Sequence, residues 1–368
     1  MNETIITADI AIVGAGMAGA SLAAELGDSS RVVLIEGEDQ PGYHSTGRSA
    51  AFWSETYGGP VVQPLTSASF AYLEENGFLA ERGEIHIARA GDIPLVEAMT
   101  DAFGDSVRLD RLSGEALAAR VPGLRPDFVT GLDEQTCRDI DVAGLHAHYL
   151  ARARRAGVAL LTDARILALE REANEWRIGT RAGEIRAGLV VNAAGAWADD
   201  VARLAGAAPI GIQPYRRTMI QLEVDPPAAA SLPLVMDAAG GFYFKPEPGG
   251  RIWLSPHDET PCAPCDAAPD EIDVATAIDR FEQAVDWRVV RRERAWAGLR
   301  SFAPDRAPVY GFDDRVDGFF WFAGQGGFGI QTAPAAALIG AALLLDRPLP
   351  DSLRHIDPRV YRPGRFLR

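Results

Sequence analysis

The sequence predicts an α/β (α+β) chain in which βαβ units are interleaved with a second, strand-rich part, and three observations predict it. Residues 9–38, DIAIVGAGMAGASLAAELGDSSRVVLIEGE, run from an apolar strand through a glycine turn into a small-residue helix, then to a second apolar strand ending in a carboxylate. The same grammar of strand and small-residue turn returns at VVNAAGAW, residues 190–197, and again at GFFWFAGQGGFGIQTAPAAALIGAALL near the C-terminus, where a helix follows. Between these returns, residues 209–300 read as strands of a different sheet. No internal repeat and no low-complexity linker separates the parts, so the second is threaded into the first and not appended to it.

The elements follow in order. After the opening βαβ unit, residues 60–82 read as helix and GEIHIA, 83–88, as a strand. Residues 107–120 read as a strand and a short helix. The stretch DVAGLHAHYLARARRAGVALLTD, 141–163, is a capped amphipathic helix followed by a strand, and 165–197 carries three more strands and the second small-residue turn.

Bulk properties exclude several function classes. Thirty-six Lys and Arg against 51 Asp and Glu leave a formal charge of -15, which repels phosphate backbones and anionic lipid surfaces. Nucleic acid is therefore not an expected partner. The longest apolar runs fall short of the roughly 20 residues a membrane span needs, so no membrane insertion is expected. No charged leader with an apolar stretch precedes the first strand, and three cysteines make no disulfide framework; a cytoplasmic location is expected. Cys262 and Cys265, in CAPC, have the spacing of a redox or zinc half-site but no second pair beside them, and read as a proline-rich surface loop. No metal site is expected.

Gly14, Gly16 and Gly19 stand at G-x-G-x-x-G spacing between the first strand and the first helix. They permit the tight turn, let the backbone approach a pyrophosphate, and let the helix opening at Met17 and Ala18 pack close with its N–H groups toward the phosphates. Glu36, 22 residues after Gly14, ends the second strand where a ribose diol sits, and its charge repels a 2′-phosphate. The unit is Rossmann-like and binds a dinucleotide. Two further segments favour a flavin over a transient nicotinamide. PGYHSTGRSAA, with His44, Ser45, Thr46, Arg48, Ser49, Ala50 and Ala51, suits a loop that encloses a polyphosphate and a flat ring. The C-terminal Gln325, Gly326, Gly327, Phe328, Gly329 and Ile330 open a helix whose N–H groups stabilise negative charge on a reduced flavin's pyrimidine edge.

Seven stretches in order, IVGAGMAGAS, QPGYHSTGRSAA, VVNAAGAWADD, IQPYRR, FYFKP, WAGLRSF and GQGGFGIQT, carry a resemblance to the D-amino acid oxidase (DAO) superfamily of FAD enzymes, closest to its D-arginine dehydrogenase branch. The resemblance implies a discontinuous FAD-binding domain at 1–82, 141–208 and 301–368, and a substrate domain on a mixed β-sheet at 83–140 and 209–300. It places Ala194, Gly195, Trp197 and Arg300 among the flavin contacts. It also implies FAD held without a covalent bond. No Cys follows Cys265, and His44, formally a covalent anchor, reads as a backbone-ordering or pyrophosphate-loop residue.

On the substrate side, amine oxidation by hydride transfer needs mainly positioning, and a substrate carboxylate calls for a bidentate Arg beside a phenol. The resemblance assigns Arg217 and Arg300 to the carboxylate with Tyr243, puts Arg216 elsewhere, and matches Tyr57 to an active-site tyrosine on a mobile loop. It matches Glu84 to the acid that receives the cationic end of D-arginine or D-lysine, with His86 two residues on. One departure stands out: Phe52 occupies the place of a family histidine, which puts substrate identity in doubt. The expectation is an FAD-dependent dehydrogenase or oxidase taking cationic D-amino acids to 2-oxo acids and ammonia, with oxygen or a quinone-like molecule as electron acceptor. The alternatives are a secondary-amine oxidase of the glycine or sarcosine oxidase type, and a non-catalytic flavin subunit of an electron-transfer complex.

Overall fold

The computed structural model describes residues 5–366. Its first strand, β1 (Ile6–Val13), alternates in burial over its first half and is wholly buried from Ile10 to Val13, the pattern of a strand covered on both faces. Parallel neighbours flank it: β2 (Val32–Ile35) on one side and Gly183–Asn192 on the other. The latter pairs in parallel with Phe319–Ala323, and β2 with Ala159–Leu161. Because Val13, Ile35 and Asn192 share one register position, the turns that follow the strands leave from the same sheet edge.

Small side chains set the spacing on the helical face. Helix α1 (Met17–Leu26), six of whose ten residues are Ala, Gly or Ser, packs against the helices Val142–Arg155 and Ala333–Leu344. Gly19 lies so near the preceding turn that a Cβ would sit 1.8 Å from the Gly14 carbonyl oxygen. Gly340 is similarly closed by Phe322 and Leu22.

The second large sheet is mixed. Its strands Glu84–Arg89 and Leu234–Asp237 run parallel, and the remaining pairs are antiparallel. Two long strands, Gln213–Asp225 and Arg288–Phe302, pair along nearly their whole length and bring Arg217 opposite Gly298 and Tyr215 opposite Arg300. The helix Glu271–Ala284, capped by Asp270, closes one face of the sheet by setting its Phe281 against Phe244 and Trp287. Sequence patterning read 209–300 as strands and missed this helix, and it missed Ile93–Phe103 as well. The helix expected over 60–82 is confined to Gln63–Glu75; Gly77, at φ 73°, ends it, and Leu79–Glu81 is a strand. That strand, Phe52–Trp53 and Arg138–Ile140 make a three-stranded sheet. The two large sheets meet where Ser301 pairs with Gly326, which joins a long strand of the second to the glycine loop following the first. Among the described residues no helix is long and apolar enough to cross a membrane.

The Gly19 approach is backbone to backbone, so no rotamer can relieve an added methyl. Gly19→Ala is expected to destabilise the protein by about 1–3 kcal/mol, read as a lower melting temperature by circular dichroism.

Candidate functional site

A cleft runs along the sheet edge from which the turns leave. The first turn contributes Gly14, Gly16, Met17 and Ala18, and Glu36 follows at the end of β2. The loop after β2 adds His44, Ser45, Thr46, Arg48, Ser49, Ala50 and Ala51; the second turn adds Ala194, Gly195 and Trp197. Gln325, Gly326, Gly327, Gly329 and Ile330 come from the third, and Arg300 from the second sheet. Gly19 and Phe328 do not line the cleft: Gly19 serves the helix packing described above, and Phe328 meets Tyr57 and Phe302 edge to face.

Local contacts explain the shape. Gly14 has φ 102°, and a Cβ there would fall 2.4 Å from the Ala193 carbonyl oxygen, so the first two turns touch through backbone alone. The Glu36 carboxylate accepts the Ala15 N–H at 2.9 Å, and Thr46 Oγ1 accepts the Met17 N–H at 2.9 Å. His44 is held by Glu38 at 2.9 Å and lies against Trp197. Arg48 borders the cleft, but its guanidinium is spent elsewhere: it donates to the carbonyls of Ala267 and Ala297 and pairs with Asp266. It therefore ties the loop 41–51 to the second sheet and is not free to hold a phosphate.

At the far end stand Tyr57, Arg217, Tyr243 and Arg300, four of the five side chains expected at the substrate, together with Phe52 and Met219. Arg300 donates to the Tyr57 hydroxyl. Burial, and secondarily Arg306, lowers its pKa to about 9. Arg217 donates through Nε to the Asp258 carbonyl at 2.8 Å, while its two buried terminal nitrogens have no hydrogen-bond partner among the described residues. Glu259 Oε1 lies 3.5 Å from each of these two arginines and 2.7 Å from Arg306. Arg216 points away and pairs with Asp273. Tyr243 donates to the Met219 sulfur at 3.1 Å, and the Phe52 ring sits 4.9 Å from Tyr57 and 6.2 Å from Tyr243.

Glu84 is not brought to this wall. It is fully buried, and both carboxylate oxygens lack a hydrogen-bond partner. Strand pairing sets it opposite Glu134, and His86 Nε2 approaches it at 3.3 Å. His86 is thus a core residue and not a surface one. The physical reason is register: Glu84 is flanked in the sheet by Leu234 on one side and Glu134 on the other, is fully buried, and does not line the cleft. Glu84, His86 and Glu134 are metal-ligating types, yet Glu134 already accepts from Ser54, Glu55 and Thr56, which leaves a proton-sharing acid pair.

Sequence reading missed several residues. Gln331 receives the Ser54 N–H and donates to the Ser54 and Tyr57 carbonyls and to Thr66 Oγ1, all within 3.2 Å. Its position in the GIQT motif was the only signal. His146 donates to the Ala15 carbonyl at 2.9 Å beneath the first turn, and neither it nor Glu259 stands in a recognisable pattern.

The profile of one family, FAD dependent oxidoreductase (DAO), matches residues 9–343. The chain belongs to this family. FAD is accordingly its cofactor, and the glycine turns that leave no room for a Cβ fit it. This DAO-family protein is 27% identical over 401 residues to glycine oxidase of Pseudomonas aeruginosa, covering 99% of both chains. Its fold matches glycine oxidase of Geobacillus kaustophilus, with TM-score 0.82, 22% identity, and 96% and 98% of the two chains covered. It also matches an FAD-bound L-α-glycerophosphate oxidase of Mycoplasma pneumoniae, with TM-score 0.83, 16% identity, and 94% and 96% covered. The resemblance to the superfamily holds, while these similarities lead to glycine oxidase and not specifically to the D-arginine dehydrogenase branch.

The acid pair has a measurable consequence. Burial raises both carboxyls from 4.5 to about 7, so their contribution to stability is full below about pH 4.5 and is lost as pH climbs through 7. Between about pH 5 and pH 8 the wild-type melting temperature is expected to fall more steeply than that of Glu84→Gln, followed by differential scanning fluorimetry.

Proposed function

We propose that this protein oxidises the Cα–N bond of a small amine carrying one carboxylate, of the glycine or N-methylglycine type, giving an imine that water hydrolyses to an oxo acid and an amine. The observation that carries the reading is the pair of buried arginines. Arg217 and Arg300 line the end of the cleft with Arg306 beside them, and among the described residues Asp258 and Glu259 are their close counter-charges, so one positive charge is left for a monoanion. The unpartnered Arg217 nitrogens offer two parallel donors, the geometry a carboxylate takes. His257, pushed down to about 3 by burial and by Arg217 and Arg306, stays neutral and adds no charge.

Phe52, Met219 and Tyr243 close the space beyond the carboxylate position with apolar surface, which suits a substrate with a short side chain. A cationic D-amino acid, which the motifs favoured, needs an acid within reach of its far end, and Glu84 is fully buried and does not line the cleft. The likeness to glycine oxidase supports the small substrate too. FAD supplies the two-electron acceptor when bound; the chain's own residues orient the carboxylate, exclude water and fix the Cα–N bond at the flavin end of the cleft. On this reading the sheet with the glycine turns and the mixed sheet serve as flavin and substrate parts, the flavin is held non-covalently, and oxygen or a quinone-like molecule takes its electrons. A flavin subunit without catalysis has no use for a desolvated arginine pair.

The purified protein is expected to be yellow and to release free FAD on acid precipitation; flavin retained in the pellet would make His44 a covalent anchor. Mixed anaerobically with single amines, it is expected to bleach with glycine or N-methylglycine faster than with D-arginine, and the reverse order would restore the cationic reading. Arg300→Met is expected to lose about 2–5 kcal/mol of transition-state stabilisation at normal flavin content, measured as kcat/KM.

A further inference from the structure

Tyr57 reaches Arg300 from a short irregular stretch, residues 54–57, that follows the two-residue strand Phe52–Trp53. No regular secondary structure fixes this stretch, so its conformation is set by side chains that hold it from outside. Gln331 grips one side through the Ser54 and Tyr57 backbone. Glu134 grips the other. Its Oε1 accepts the Glu55 N–H at 2.6 Å, and its Oε2 accepts the Thr56 hydroxyl at 2.6 Å, the Ser54 hydroxyl at 3.2 Å and the Thr56 N–H at 3.4 Å. Four donors converging on one buried carboxylate are a built site for a negative charge. Its neighbour across the strands, Glu84, has no comparable cage: among the described residues neither oxygen accepts a well-formed hydrogen bond, and only Ser54, Cys137 and His86 stand near it. When two adjacent buried carboxyls share one proton, the proton goes to the acid without donors. Glu84 therefore holds the shared proton, and Glu134 is the first of the two to ionise.

We propose that Glu134 is a positioning residue: its carboxylate fixes the backbone of residues 54–56 and thereby sets Tyr57 against Arg300 at the substrate end of the cleft. The role in turnover rests on the carboxylate-bearing amine reading above. Glu134 touches neither cleft nor substrate, and acts only through Tyr57. The charged and titratable groups around the anchor are Glu84 and His86 on the neighbouring strand, Glu55 on the stretch itself, and Cys137, Asp139 and Lys245 beyond Glu84. A second charge, on Glu84, would oppose ionisation of Glu134, which keeps the shared proton on Glu84, and His86 assists that ionisation.

The test uses the FAD-loaded protein and two independent readouts. Glu134→Gln puts an amide donor against N–H groups that need an acceptor, and backbone amide exchange at Glu55 and Thr56 is expected to speed up at least about tenfold while the flavin stays bound. Thr56→Val, which removes one hydroxyl and leaves the acid, is expected to move exchange the same way by less, and it serves if Glu134→Gln does not fold. With glycine or N-methylglycine, Glu134→Gln is expected to lower kcat/KM at least about tenfold in the wild-type background but less than about twofold in a Tyr57→Phe background, because the two residues act as one unit. Glu84→Gln, an isostere of the protonated acid, is expected to leave the kcat/KM profile within about twofold across its acid limb, because Glu84 is already neutral when Glu134 ionises. Unchanged exchange in Glu134→Gln and Thr56→Val overturns the proposal, as does an equal kinetic loss in both tyrosine backgrounds. A wild type that turns over neither amine sinks the substrate reading alone, and the exchange measurement still decides whether Glu134 holds the stretch.

Discussion

A surplus of buried positive charge organises the substrate end of this molecule. Desolvating a guanidinium is expensive, and Arg217 and Arg300 are both almost wholly buried while sharing Glu259 with Arg306. Such an arrangement persists only if the surrounding scaffold holds it rigidly. The paired strands Gln213–Asp225 and Arg288–Phe302 supply that rigidity, since each arginine sits in the interior of a long hydrogen-bonded ladder. Gly327 is shaped by the same demand: a Cβ at that position would occupy the space of the Arg300 guanidinium.

The second requirement is to bring this charged end to the flavin edge. Three polar cross-links do so, and each joins segments distant in sequence. Arg48 ties the loop after β2 to Asp266, Ala267 and Ala297; the Ser45 hydroxyl donates to the Leu299 carbonyl at 2.7 Å; and the Trp296 indole donates to the Arg48 carbonyl at 2.9 Å. The loop 41–51 is thus a strap between the sheets as much as a cover for a cofactor. Its hydroxyl and glycine content, read as suiting phosphate contacts, serves backbone closure equally: Gly42 leaves room for His146, and Gly47 bonds back to the Gly42 carbonyl.

Legibility in the sequence follows the range of the interaction. The first turn, Glu36 and the C-terminal glycine loop were readable because their chemistry is encoded within a few residues and its geometry is set by a strand and a helix on either side. Arg217, Tyr243, Arg300 and Tyr57 were found only through ordered motifs, and the cleft does gather them. Glu84 was assigned to the substrate through the resemblance alone, and motif order does not say whether a side chain reaches the cleft; this one is fully buried beside Glu134 and His86. Gln331 and Glu134 escaped notice for a related reason: their partners lie 277 and about 80 positions away, and no local pattern marks a side chain whose function is to hold remote backbone.

The order of strands in the first sheet bears on how the protein comes off the ribosome. β1 and β2 are made first, but the parallel neighbour of β1 arrives with Gly183–Asn192, and that strand's own neighbour with Phe319–Ala323. The last wall of the cleft, Gln325–Gln331, emerges later still. At about 5–20 residues per second, the opening βαβ unit waits roughly 15–60 s before the sheet and the cofactor cradle are whole. Throughout that interval one edge of β1 or of its successor stays open to pairing with other nascent chains. Flavin supply during synthesis therefore matters least early and most in the final moments, when the last glycine loop joins the other two turns.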